Sequence, residues 1–159
     1  MKQFELRVEP YRQEHRKSWR TSWFEQIEQL ANEKMQRATW LNEGNRNPYY
    51  TFREYNYHYV RFGFESNGGI DGGNLTREEE DIMAELRALL DAYSPPDGND
   101  EDHEAILNDS KWRAVVTAAQ VARNRLAAII TDEEERRALF EVSEHAIIAA
   151  HEGRDTNPS

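Results

Sequence analysis

Apolar residues recur at intervals of three and four through most of this chain, which predicts helices, and alternate or run together in two short stretches. Between about Arg12 and Leu41, Trp23, Ile27 and Leu30 fall on one helical row and Phe24, Ile27, Ala31, Met35 and Ala38 on a second, so a long amphipathic helix is expected there. Ser22-Trp23-Phe24-Glu25 fits a capping box from which regular helix can start, and Gly44 and Pro48 supply the stop. Thr76-Arg77-Glu78-Glu79 is a second capping box, followed by an apolar row of Ile82, Leu86, Leu89 and Tyr93 that ends at Ser94-Pro95-Pro96. A short helix is predicted near Glu101 to Leu107. A long one follows from about Ser110, with Trp112, Val115, Val116, Ala119, Ala122, Leu126, Ile129 and Ile130 inward. Thr131-Asp132-Glu133-Glu134 reads as a third capping box, opening a last helix to Gly153 with Leu139, Ala146, Ile147 and Ala150 inward.

The exceptions predict strands. Phe4, Leu6 and Val8 alternate with Glu5, Arg7 and Glu9, the period of a half-buried edge strand that Pro10 would end. Tyr49 to Glu65 is dominated by Tyr, Phe, Thr and Val and reads as extended. The expected fold class is therefore α+β and helix-dominated. A small antiparallel sheet (residues 3–8 and 49–65) packs against a long N-terminal helix and a C-terminal antiparallel helical set. The length suits one globular domain over residues 1–153, with an aromatic α/β part (1–65), a Gly-rich hinge loop (66–75), an acidic helical part (76–153) and a disordered tail (154–159).

Composition sharpens that division. Fourteen of the seventeen aromatic residues lie in the first 65 positions, which carry a net charge of +2, while the remaining 94 positions carry −12, for a total of −10. One part thus builds an aromatic platform and the other presents an acidic surface. The absence of cysteine excludes disulfides, thiolate metal sites and cysteine nucleophiles and fits a reducing compartment, with the cytoplasm as the simplest location. The opening residues lack the apolar stretch of a secretory signal. No aliphatic run approaches the ~20 residues that span a bilayer, so no membrane role is expected.

The aromatic tract holds the sharpest candidate chemistry. Tyr55, Tyr57 and Tyr59 could stack bases while Arg53 and Arg61 meet phosphates, as in single-strand binding, but a net charge of −10 repels a polyanion and disfavours nucleic acid. Arg53-Glu54-Tyr55-Asn56-Tyr57-His58 has Arg-x4-His spacing and, over those six residues, resembles the motif of HEPN-type ribonucleases. The resemblance implies a metal-independent phosphodiester cleavage in which Arg53 steadies a phosphate and His58 acts as general acid or base.

Metal chemistry is weakly encoded. His145 and His151 stand about 240° apart around a helix, and Asp97, Asn99, Glu101 and Glu104 around His103 lack the Gly at the sixth position that a calcium loop requires. No metal site and no cofactor is assigned.

Arg7, Arg12, His15, Arg16, Lys17 and Arg20 form a basic cluster ahead of Trp19 and Trp23, expected to pair internally with the acidic helices. The leading functional expectation is a non-enzymatic acidic protein-interaction module, an adaptor or inhibitor that occupies a basic protein site by mimicking nucleic-acid charge. Its binding residues would be the aromatic, Arg-bearing tract (Arg53, Tyr55, Tyr57, Tyr59, Arg61) or the acidic linker (Asp100, Glu101, Asp102, Glu104). Self-association is a further option. The alternative from a different class is small-nucleotide binding or phosphodiester cleavage centred on Arg53 and His58.

Overall fold

A computed structural model describes the backbone of residues 2–41 and 73–141, and the side chains of residues 13–41 and 73–141. The first element is a single helix, α1 (Lys2–Ala31), about 45 Å long at 1.5 Å per residue. The strand expected at residues 3–8 is therefore absent, and no strand occurs among the described residues. Three alternating apolar residues are too short a pattern to fix a period: Phe4, Val8 and Tyr11 also stand at i, i+4 and i+7, a helical spacing. Pro10 lies within α1, where it removes one backbone donor without ending the helix. Without residues 3–8 the small sheet loses one of its two expected members; the other, residues 49–65, lies outside the described residues.

α1 ends earlier than its apolar row does. The side-chain oxygen of Asn32 accepts the backbone N–H of Met35 at 2.9 Å and so caps a new helix, α2 (Glu33–Trp40). Such a break leaves the last carbonyls of α1 without helical donors. Side-chain amides supply them: Gln36 Nε2 donates to the carbonyls of Gln29 and Leu30, each at 3.0 Å, and Gln120 Nε2 donates to that of Ala31 at 3.0 Å. Ser22, in contrast, lies inside α1 and caps nothing, so the helix does not begin there.

After the segment that is not described, α3 (Arg77–Ala92) opens on the predicted capping box. Thr76 Oγ1 accepts the N–H of Glu79 at 3.1 Å, and Glu79 Oε1 accepts the N–H of Thr76 at 2.8 Å. Pro95 and Pro96 lead into a tight turn in which Asp97 and Gly98 both have positive φ, 56° and 68°, and Asn99 N–H returns to the Pro96 carbonyl at 3.0 Å. A Gly-containing pair is what such a turn requires.

Three helices follow: α4 (His103–Asn108), α5 (Ser110–Ile129) and α6 (Glu133–Ala138), the first two within a residue or two of expectation. Asp132 rather than Thr131 caps α6, which gives way to a turn at Leu139 and Phe140. Whatever follows residue 141, including the predicted run to Gly153, lies outside the described residues.

α5 is the central helix, packed on α1, α3 and α4, while α1 also meets α6. One apolar cluster fills the interior, built on Trp23, Phe24 and Ile27 from α1, Met83 and Leu86 from α3, Ile106 and Leu107 from α4, and Trp112, Ala119 and Leu126 from α5. Trp40, Tyr93 and Trp112 close one end of it, with ring centroids 5.8 Å apart for Trp40 and Trp112 and 5.2 Å for Tyr93 and Trp112.

Candidate functional site

The opposite end of the bundle is organised by one arginine. Arg20 lies on the apolar row of α1, one turn before Trp23 and Phe24, and is 5% exposed. Its Nη1 and Nη2 donate to the two oxygens of Glu79, both at 2.7 Å; Nε and Nη2 donate to those of Glu135 at 3.1 and 3.0 Å; and Nη1 also reaches the Asn74 carbonyl at 2.8 Å. These bonds use every N–H of the guanidinium. Both acids occupy the third position of a helix, Glu79 in α3 and Glu135 in α6, so a single cation gathers the carboxylates that sit over two positive helix ends.

The surroundings shift both kinds of group. Burial, the largest influence on Glu79, disfavours its charge, yet the hydrogen bonds from Arg20 and Thr76 and the arginine's charge outweigh it and hold the carboxyl below its ordinary range. Burial likewise works against the charge of Arg20, and the two glutamates outweigh it and raise its pKa.

Above this group lies an open cleft of about 410 Å³, edged by Arg16, Thr76, Glu78, Ile129, Thr131 and Asp132. Arg16 Nε donates to the Gly73 carbonyl at 2.9 Å, and Lys17 pairs with Glu134 at 2.9 Å and more loosely with Asp132 at 3.6 Å. The expected internal pairing of the basic cluster with the acidic helices is thus seen for Lys17 and Arg20. Because Arg20 has no N–H left over, the cleft offers no buried cation to an anionic ligand. Its floor is a structural clamp joining α1, α3 and α6.

The exposed chemistry is charged and segregated. α3 turns Asp81, Glu85 and Asp91 outward, and the segment beyond it exposes Asp97, Glu101, Asp102 and Glu104, with Asp100 half-buried. Asp102 differs from its neighbours. Its Oδ1 accepts the N–H of Ala105 at 3.1 Å and caps α4, so this member of the acidic linker has a folding role. His103 places its ring 6.1 Å from that of Trp40, against the aromatic end of the core. Among the described residues no group of three or more His, Asp or Glu is arranged to hold a metal ion, and no helix is long and apolar enough to cross a membrane.

The structure therefore brings together Glu101, Asp102 and Glu104 of the predicted sites, beside Asp100. Arg53, Tyr55, Tyr57, His58, Tyr59 and Arg61 lie outside the described residues. Sequence reasoning expected Arg20 to pair with the acidic helices but did not single out Glu79 and Glu135 as its partners, although a lone arginine on an apolar row and an acid three residues after each helix cap were visible traces of the group. No family model, no curated protein and no solved structure matches the chain.

Proposed function

We propose that this chain is a non-enzymatic acidic interaction module of the cytoplasm, which presents α3 and the segment from Asp97 to Glu104 to a basic surface on another protein. The observation that carries this reading is the division between inside and outside. Trp23, Trp40 and Trp112 are buried, the buried cation Arg20 is saturated by internal acids, and the exposed charge on α3 and from Asp97 to Glu104 is mostly carboxylate. Opposed charges of this kind steer association and set partner choice more than they add affinity. The nucleotide alternative rests on Arg53 and His58 and draws no support from the described geometry.

The test starts with capture of partners from the native host, followed by association rates of a captured basic protein at low and high salt. Glu85→Lys with Glu101→Lys and Glu104→Lys should slow association and reduce its salt dependence. A rate that is independent of salt and tolerates these reversals would remove the proposal.

A further inference from the structure

The central helix carries the opposite charge to its neighbour. Over its twenty residues α5 contains four cations and no carboxylate. α3, packed beside it, contains six carboxylates and two arginines in sixteen residues. On the outward face of α5, Ala114, Thr117, Val121 and Ala128 fall on one line, with Arg113 and Arg125 on its flanks. Val121 is 49% exposed, unusual for a valine at the middle of a core helix. On the outward face of α3, Ala84 and Ala88 are bordered by Asp81, Glu85 and Asp91. Asp81, Glu85, Asp91 and Arg125 have no ion-pair partner among the described residues.

We infer that the outward face of α3 pairs with the outward face of α5 in a second copy of this chain. The flat surfaces let two helices approach at the lower end of the ~8–10 Å range, since only alanines, one threonine and one valine intervene. The charges are opposite in sign and similar in spacing, to within about 3 Å. Arg113 and Arg125 are separated by about 18 Å along their helix, and Asp81 and Asp91 by about 15 Å, at 1.5 Å per residue. A two-fold arrangement forms both pairings at once, α3 on α5 and α5 on α3, and closes the assembly as a dimer. The inference rests on the reading of α3 as a binding face and assigns that face a specific basic partner.

Sedimentation equilibrium of the full chain tests it. The wild-type chain should dimerise with a Kd of the order of 10 μM, weakened at least about tenfold when salt rises from about 0.05 to 0.5 M. Asp81→Lys with Glu85→Lys and Asp91→Lys should give a monomer, as should Arg113→Glu with Arg125→Glu, each with unchanged far-ultraviolet circular dichroism. Mixing the two variants should restore a dimer containing one of each, because every contact is then again between opposite charges. A wild-type chain that stays monomeric, or a dimer that survives both variants, overturns the inference, as does failure of the mixture to associate. A monomer that still binds a captured basic protein would sink this inference alone and leave the proposed function standing. A dimer that captures nothing would do the reverse.

Discussion

The indole N–H of Trp112 donates to the side-chain oxygen of Gln36 at 3.0 Å, deep in the core, with Trp112 1% exposed and Gln36 fully buried. The same Gln36 holds the end of α1 through its amide nitrogen, so one side chain ties α5 to the corner between α1 and α2. Replacing Gln36 by Ala would strand the buried indole donor and the Leu30 carbonyl, while the Gln29 carbonyl keeps the backbone N–H of Asn32 at 3.3 Å, a loss of about 2–4 kcal/mol. Trp112→Ala should cost about 3–5 kcal/mol through lost packing, and Trp112→Phe about 1–2 kcal/mol because the ring remains and the hydrogen bond does not. Urea midpoints measure all three. A Gln36→Ala change below ~0.5 kcal/mol would show that the corner is held by other groups.

Arg20 should be among the most sensitive single positions in the described structure. Arg20→Ala leaves Glu79 and Glu135 buried without their cation and is expected to cost about 3–5 kcal/mol. Arg20→Lys keeps the charge but cannot serve two carboxylates in forked pairs, so it should recover only part of that loss. A double-mutant cycle between Arg20→Ala and Glu79→Gln should show strong coupling; additive effects would mean that the short distances carry little energy.

Local signals were legible in the chain and long-range ones were not. The capping box at Thr76, the start of α5 near Ser110 and the inward position of Trp112 each follow from residues within one or two turns, where side-chain chemistry acts directly on the backbone. The strand reading at Phe4 to Val8 failed because three residues support either period, and length decides which prevails. The break at Asn32 was missed because the apolar row continues through it, whereas the cap is a single amide. The Arg20 clamp joins residues 59 and 115 positions apart, and no local pattern encodes that meeting. The acidic linker was recognised as charge, but the capping role of Asp102 within it appears only once α4 has a defined start.

That role separates Asp102 from the residues beside it. Asp102→Lys removes the acceptor for the N–H of Ala105 and adds a positive charge at the positive end of α4, and should cost about 1 kcal/mol or somewhat more. Glu101→Lys changes an exposed position ahead of the helix and should stay within about 0.5 kcal/mol of the wild type, while Glu104→Lys, which meets the same helix end with no cap to lose, should cost less than Asp102→Lys. Equal losses at all three would show that net charge, not the cap, sets stability in this segment.

Stability should fall at both extremes of pH, for different reasons. Glu79 is held below its ordinary range, so its contribution is present above the unfolded value and is lost as pH falls through the folded one. Tyr93 is shifted upward by burial and by its hydrogen bond to Asp109 at 3.0 Å, so its contribution is intact below the unfolded tyrosine value and is lost as pH rises through the range above it. Chemical unfolding across pH should show a smaller alkaline loss in Tyr93→Phe than in the wild type. An unchanged alkaline limb would remove Tyr93 as its source.

Glu25 should behave in the opposite sense to Glu79. It is half-buried on α1, has no ion-pair or hydrogen-bond partner among the described residues, and burial pushes its carboxyl above the ordinary value. A raised folded pKa means that protonation favours the folded state, so the ionised carboxylate weakens the fold at neutral pH and that penalty fades as pH drops through the folded value. Glu25→Gln keeps the shape and removes the charge. The variant should therefore have a higher urea midpoint than the wild type at pH 7, and the two should converge in acid. Glu79→Gln provides the control with the reverse sign, since it discards a carboxylate that Arg20 and Thr76 both use and should be weaker at pH 7, with the deficit shrinking in acid. If Glu25→Gln is destabilising at neutral pH, then its carboxylate has a stabilising partner in solution and the burial argument for α1 fails at that position.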